Sequence, residues 1–163
     1  MQTPSDACIP RQAALVPKGP ITDGLQLGAA LSSDHAHTGE RVDLYFDLSV
    51  PGSATVRLWT SGAPADYDVT VFQNGLRLEE KPSWHVVISR VAHTDIGPGH
   101  DDFQCLPLTS MFDLTAPGKY TIIAARRFRS GDSDGSVAGP PIQANELQLT
   151  ITPPTPNDRG STP

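Results

Sequence analysis

Basic charge, cysteine, aromatic residues and long apolar runs are all scarce in this chain, and each shortage excludes something. Lys and Arg number 12 against 18 Asp and Glu, a net charge of −6. A surface of that sign repels phosphate backbones, so nucleic acid is not expected as a partner. No apolar run approaches the roughly 18 residues that a membrane helix requires, so no membrane insertion is expected. The opening "MQTPSDACIP" has no charged segment leading into an apolar one, and no signal peptide is read there. Long helices are disfavoured by 16 prolines among the 163 residues, because an interior proline removes a donor and clashes with the preceding turn.

Alternation is what the chain has instead. In "ERVDLYFDLSV", Val42, Leu44, Phe46, Leu48 and Val50 alternate with Asp43, Tyr45, Asp47 and Ser49. A period of two buries one face and wets the other, which predicts a half-exposed strand. Leu25, Leu27, Ala29 and Leu31 share one face of an earlier strand. Further strands are expected over "ATVRLWT", "YDVTVF", "SWHVVIS" (Ser83 to Ser89) and "NELQLTIT". Asn74-Gly75 tolerates positive φ at both central positions and predicts a type I′ hairpin with Leu76 and Leu78 on the returning arm. "GKYTIIAARRF" is apolar on both faces and is expected at the centre of its sheet.

These segments give eight or nine short strands and no helix. The expected fold is all-β, an antiparallel β-sandwich of Greek-key type with about 8 strands, a closed barrel being the alternative. Residues 1–20 read as an extended lead-in, 21–153 as the sandwich and 154–163 as a flexible Pro-rich tail.

"FDLTAPGKYTI", followed by "NELQLTITPP", resembles the end of a bacterial immunoglobulin-like domain. The matching residues are the turn Pro117, Gly118 and Tyr120, then the final strand from Asn145 to Ile151. "YDVTVFQNG" resembles the hairpin of such domains, and "IGPG" at Ile96 to Gly99 stands where many carry a turn. The resemblance spans Leu25 to Pro154 and implies architecture rather than activity. It departs from antibody-type domains at Ile122, where those carry a cysteine. It implies for Tyr120 either a tyrosine corner or simple edge packing.

Five groups of residues invite chemistry. "VAHTDIGPGHDDFQC" holds His93, Asp95, His100, Asp101 and Asp102, ligand types suited to a divalent metal. They straddle Gly97-Pro98-Gly99, and a solvated loop is the expectation. His35 and His37 could share an ion on a strand, or join His93 and His100, but the Thr38-Gly39 that follows favours a turn. Asp132 and Asp134 before Gly135 suggest part of a calcium loop whose other ligands are missing, so a hairpin tip is expected. Arg126, Arg127 and Arg129 read as a solvated basic patch, free for an acidic partner or for Asp132 and Asp134. Cys105 and Met111 suggest a copper site, which the lack of any histidine after His100 argues against.

Neither a serine-nucleophile elbow nor a phosphate loop is present, and neighbouring Glu79 and Glu80 point apart. No cofactor and no enzymatic activity are expected. Cys8 and Cys105, 97 positions apart, either form one disulfide or are unrelated thiols. The leading expectation is an extracytoplasmic (secreted, periplasmic or cell-surface) binding or structural domain. It would act on an unknown protein or surface partner through loops such as Gly97, His100, Asp101 and Asp102, or through strand edges that also permit self-assembly. A proteinase inhibitor presenting Gly97 to Phe103 or Ser130 to Gly139, and a metal-binding sandwich using the histidines, are the alternatives.

Overall fold

A computed structural model describes Cys8 and residues 18–84, 92–127, 129–130 and 137–156. Asp132, Asp134 and most of the expected strand from Ser83 to Ser89 lie outside these residues, as does the side chain of Arg129. Eight strands of five or more residues carry the fold: β1 (Gln26–Leu31), β3 (Leu44–Ser49), β4 (Val56–Thr60), β5 (Tyr67–Gln73), β7 (Ala92–Ile96), β8 (Asp102–Leu106), β9 (Gly118–Arg126) and β13 (Leu147–Thr152). Five shorter ones join them: β2 (His35–His37), β6 (Leu76–Arg77), β10 (Arg129–Ser130), β11 (Val137–Ala138) and β12 (Ile142–Gln143). Among the described residues two single-turn helices, α1 (Ala63–Asp66) and α2 (Leu108–Met111), interrupt the strands.

Two sheets form the sandwich. The smaller runs β1-β3-β8, and the larger runs β2-β13-β9-β5-β6 with β12 beside β9. Two ribbons, β4–β7 and β10–β11, flank them. Pairing is antiparallel except between β13 and β2, which run parallel. Neither sheet closes into a barrel among the described residues. Leu27, Ala29, Leu44, Phe46, Leu48 and Leu106 of the smaller sheet share one buried cluster with Val69, Val71, Tyr120, Ile122, Ala124, Leu149 and Ile151 of the larger. Alternation puts each set on a single face of its sheet, and burying the two faces together is the main stabilising term.

The turns follow local chemistry. Asn74 and Gly75 have φ of 52° and 75°, and Gln73 pairs with Leu76 across them, as a type I′ hairpin requires. Asp23-Gly24 makes a second such turn, with φ of 49° and 78°, and Thr22 and Leu25 exchange both backbone hydrogen bonds. This turn folds residues 18–22 back along β1, where Lys18 bridges Gly28 and the Gly19 N–H donates to Leu27 O. Tyr120 is fully buried and its hydroxyl donates to Ala116 O at 2.6 Å, so its role is the corner rather than edge packing.

Three expectations are corrected. The strand β3 is buried on both faces, not half-exposed, because Lys18 reaches across its outer side to Asp47 and Ser49. His35–His37 forms a strand instead of a turn, since β13 supplies a partner through Thr150–Thr152. Where the pattern gives no helix, the chain after β8 makes one helical turn at Leu108–Met111. The central place of β9, between β13 and β5, is as expected, although Ile123 on its outer face is 38% exposed. Tyr120→Phe removes the corner hydrogen bond and is expected to cost about 1 kcal/mol. Urea denaturation checks this, and an unchanged midpoint would contradict the corner role.

Candidate functional site

The four candidate metal histidines stand on three supports. His35 and His37 sit exposed on β2, His93 lies on β7, and His100 is in the turn that follows. Among the described residues no three His, Cys, Asp or Glu side chains gather as metal ligands would. Each histidine has a local partner instead. His35 Nδ1 is 2.9 Å from Asp34 Oδ1, and His35 holds that carboxyl below its ordinary range. His37 Nδ1 is 2.9 Å from Thr152 Oγ1, and His93 packs edge-on against Trp59 with centroids 5.4 Å apart. His100 Nδ1 is 3.3 Å from Pro98 O, inside a turn closed by His100 N–H to Gly97 O.

Much of the supposed loop is strand. His93 and Asp95 lie on β7 and face Trp59 and Arg57 of β4, where Arg57 Nε donates to Asp95 at 2.8 Å. That guanidinium holds the Asp95 carboxyl below the usual carboxylate range. Only Gly97 to Asp101 form the turn, and Asp102 already belongs to β8. The strands β7 and β8 therefore flank the turn that holds His100 and Asp101.

Arg126 and Arg127 do not form one patch. Arg126 is 1% exposed and unavailable to an acidic partner. Along β9 it continues the inward register of Tyr120, Ile122 and Ala124, so it enters the core. Asp66, at the end of α1, lies 3.7 Å from its Nη2. Arg126 Nη1 donates to Arg127 O at 3.1 Å and Nη2 to Trp59 O at 3.4 Å, and its Cζ is 5.9 Å from the Tyr67 ring centroid. Asp66 in turn accepts from the Thr60 hydroxyl and from Ser61 N–H. Tyr67 stacks on Phe46 of the opposite sheet at 4.0 Å, and burial pushes its hydroxyl well above the ordinary tyrosine range. Arg127 is exposed and pairs with Asp68, with Nε 3.0 Å from both carboxylate oxygens.

The opening segment meets this fold at two described points. Cys8 and Cys105 stand at disulfide distance, with Cα atoms 6.0 Å apart. Cys105 lies beside Tyr45 in the ladder, on the outer side of the smaller sheet. On that same side Lys18 Nζ is 3.2 Å from Asp47 Oδ2 and donates to Ser49 Oγ at 2.6 Å. Burial raises the Asp47 carboxyl above its ordinary range; Lys18 opposes the shift and Asp101 adds to it.

Two of the strand edges, those of β2 and β1, are covered by the chain itself. On the outer edge of β2, His35 O accepts from the Ser33 hydroxyl and His37 N–H donates to Glu40 at 2.8 Å. Glu40 N–H donates to His37 O at 3.0 Å, so that edge is capped by its own chain. The edge of β1 is occupied by Lys18 and Gly19. No protein-family model matches this sequence, and no match is found among curated proteins.

Asp47 gives a pH dependence with a defined sign. Its raised folded value contributes stability that is full below the unfolded value of about 3.9 and is lost as pH rises through the folded value. Asp47→Asn has no such loss, so its stability relative to the parent should rise between about pH 3 and pH 7. Thermal unfolding of both proteins across that range measures it. A flat or falling difference would contradict the burial of this carboxyl.

Proposed function

We propose that the chain is a non-enzymatic, extracytoplasmic immunoglobulin-like domain that binds a partner or serves as a structural module through its end loops. The observation that carries this reading is the Cys8–Cys105 pair, placed at bonding distance across 97 positions. Disulfides persist in oxidising compartments and are rare in the cytosol. The Pro117-Gly118-x-Tyr120 ending with its buried corner tyrosine supports the immunoglobulin-like part. The capped edges of β2 and β1 favour loops over strand addition as the mode of contact. Candidates are the Gly97–Asp101 turn and the exposed Asn74-Gly75 hairpin tip, where Leu76 is 73% exposed.

The test is to trap thiols by acid quench and alkylation in fractionated native cells, then map the Cys8 and Cys105 peptides by mass spectrometry. A disulfide-linked peptide in the extracytoplasmic fraction is expected. Both cysteines alkylated in the cytosolic fraction would overturn the proposal. In purified protein, the double substitution Cys8→Ser and Cys105→Ser should cost about 2–5 kcal/mol in urea denaturation. An unchanged midpoint would show that the tie does not hold the fold.

A further inference from the structure

We propose that the cleft between residues 39–41, Lys81 and residues 109–115 is a binding site for a small oxyanion, the carboxylate or phosphate head of a small molecule. It encloses about 310 Å³, a volume that suits a small ligand. Its lining carries two cations, Arg41 and Lys81, against one carboxylate, Glu40. Asp43 and Asp113 stand beside these cations, on Arg41 and near Lys81 respectively. Arg41 is held by Asp43 at 2.9 Å, and Glu40 is committed to the His37 N–H.

Lys81 is different. It is half-buried and has no carboxylate within ion-pair distance among the described residues. Its backbone is fixed, because Lys81 N–H donates to Met111 O at 2.7 Å and neighbouring Glu80 bridges Phe112. Its ammonium donates to Thr109 O at 2.8 Å. An ammonium has three donors, and a carbonyl takes one. Beside it the half-buried Ser110 hydroxyl makes no hydrogen bond among the described residues, whereas Thr115 is engaged with Asp113. A part-buried cation with no carboxylate in contact, Asp113 acting on it only from a distance, next to an idle hydroxyl, is a donor set that an oxyanion completes. The inference does not depend on the compartment or the partner proposed above.

The test titrates the intact, ¹⁵N-labelled chain with sodium acetate and with sodium phosphate, each against matched sodium chloride. Saturable amide shifts confined to Gly39–Arg41, Lys81 and Thr109–Thr115 are expected with at least one of them. Saturation by phosphate alone marks a phosphate head, and by acetate alone a carboxylate. Lys81→Gln should weaken binding about tenfold, and Ser110→Ala about threefold without disturbing the fold. Lys81→Arg, which keeps the charge, should stay within about threefold of the parent. Shifts that never saturate, that chloride reproduces, or that Lys81→Gln leaves intact would overturn the proposal. Should Lys81→Gln fail to fold, the parent and Ser110→Ala titrations decide it.

Discussion

A buried guanidinium joins the parts of this sandwich. Arg126 ends β9 inside the core, and a lone charge there would cost several kcal/mol. What makes it tolerable comes from four places: Asp66 at the end of α1, the Trp59 carbonyl of β4, the Arg127 carbonyl and the Tyr67 ring. Tyr67 then stacks on Phe46, so the same junction reaches the smaller sheet. The Arg127 N–H to Asp66 O bond at 2.8 Å closes the knot on the chain leaving β9. The end loops are thus hung from a polar centre and not only from apolar packing.

The opposite contribution comes from the beginning of the chain. Lys18 and Cys8 meet the outer side of the smaller sheet, where Tyr45, Asp47 and Ser49 would otherwise face water. Burying Asp47 opposes stability through desolvation, and Lys18 offsets part of that cost. The Cys8–Cys105 pair, at disulfide distance, stands elsewhere on the same side.

Most of the architecture is legible in period-two patterning. The inward sets Leu25–Leu31, Val42–Val50 and Leu147–Ile151 stand on the faces that alternation assigns, and Asn74-Gly75 closes the hairpin that its chemistry demands. Asp23-Gly24 carries an equally strong turn signal. It belongs with residues 18–22 in the sandwich, although 18–20 read as part of the lead-in. Arg126 was open to the same parity argument: it follows Tyr120, Ile122 and Ala124 at steps of two. Its position in a run of arginines masks this, since local charge suggests solvent. Other features have no local signal. The pairing of His35–His37 with β13, of Lys18 with Asp47, and the placing of Lys81 beside Thr109 depend on residues 28 to 115 positions away. Such contacts are products of topology, and one sequence does not display them.

The central claim is that Asp66 and Arg126 act as one unit, and a double-mutant cycle tests it most directly. Asp66→Asn, Arg126→Met and the combined variant would be compared with the parent by urea denaturation. Each single change should be strongly destabilising because it strands a buried charge, and the double should cost less than their sum by about 2 kcal/mol. Additive losses, within about 0.5 kcal/mol, would show that the two residues do not depend on each other and that no coupled junction forms there.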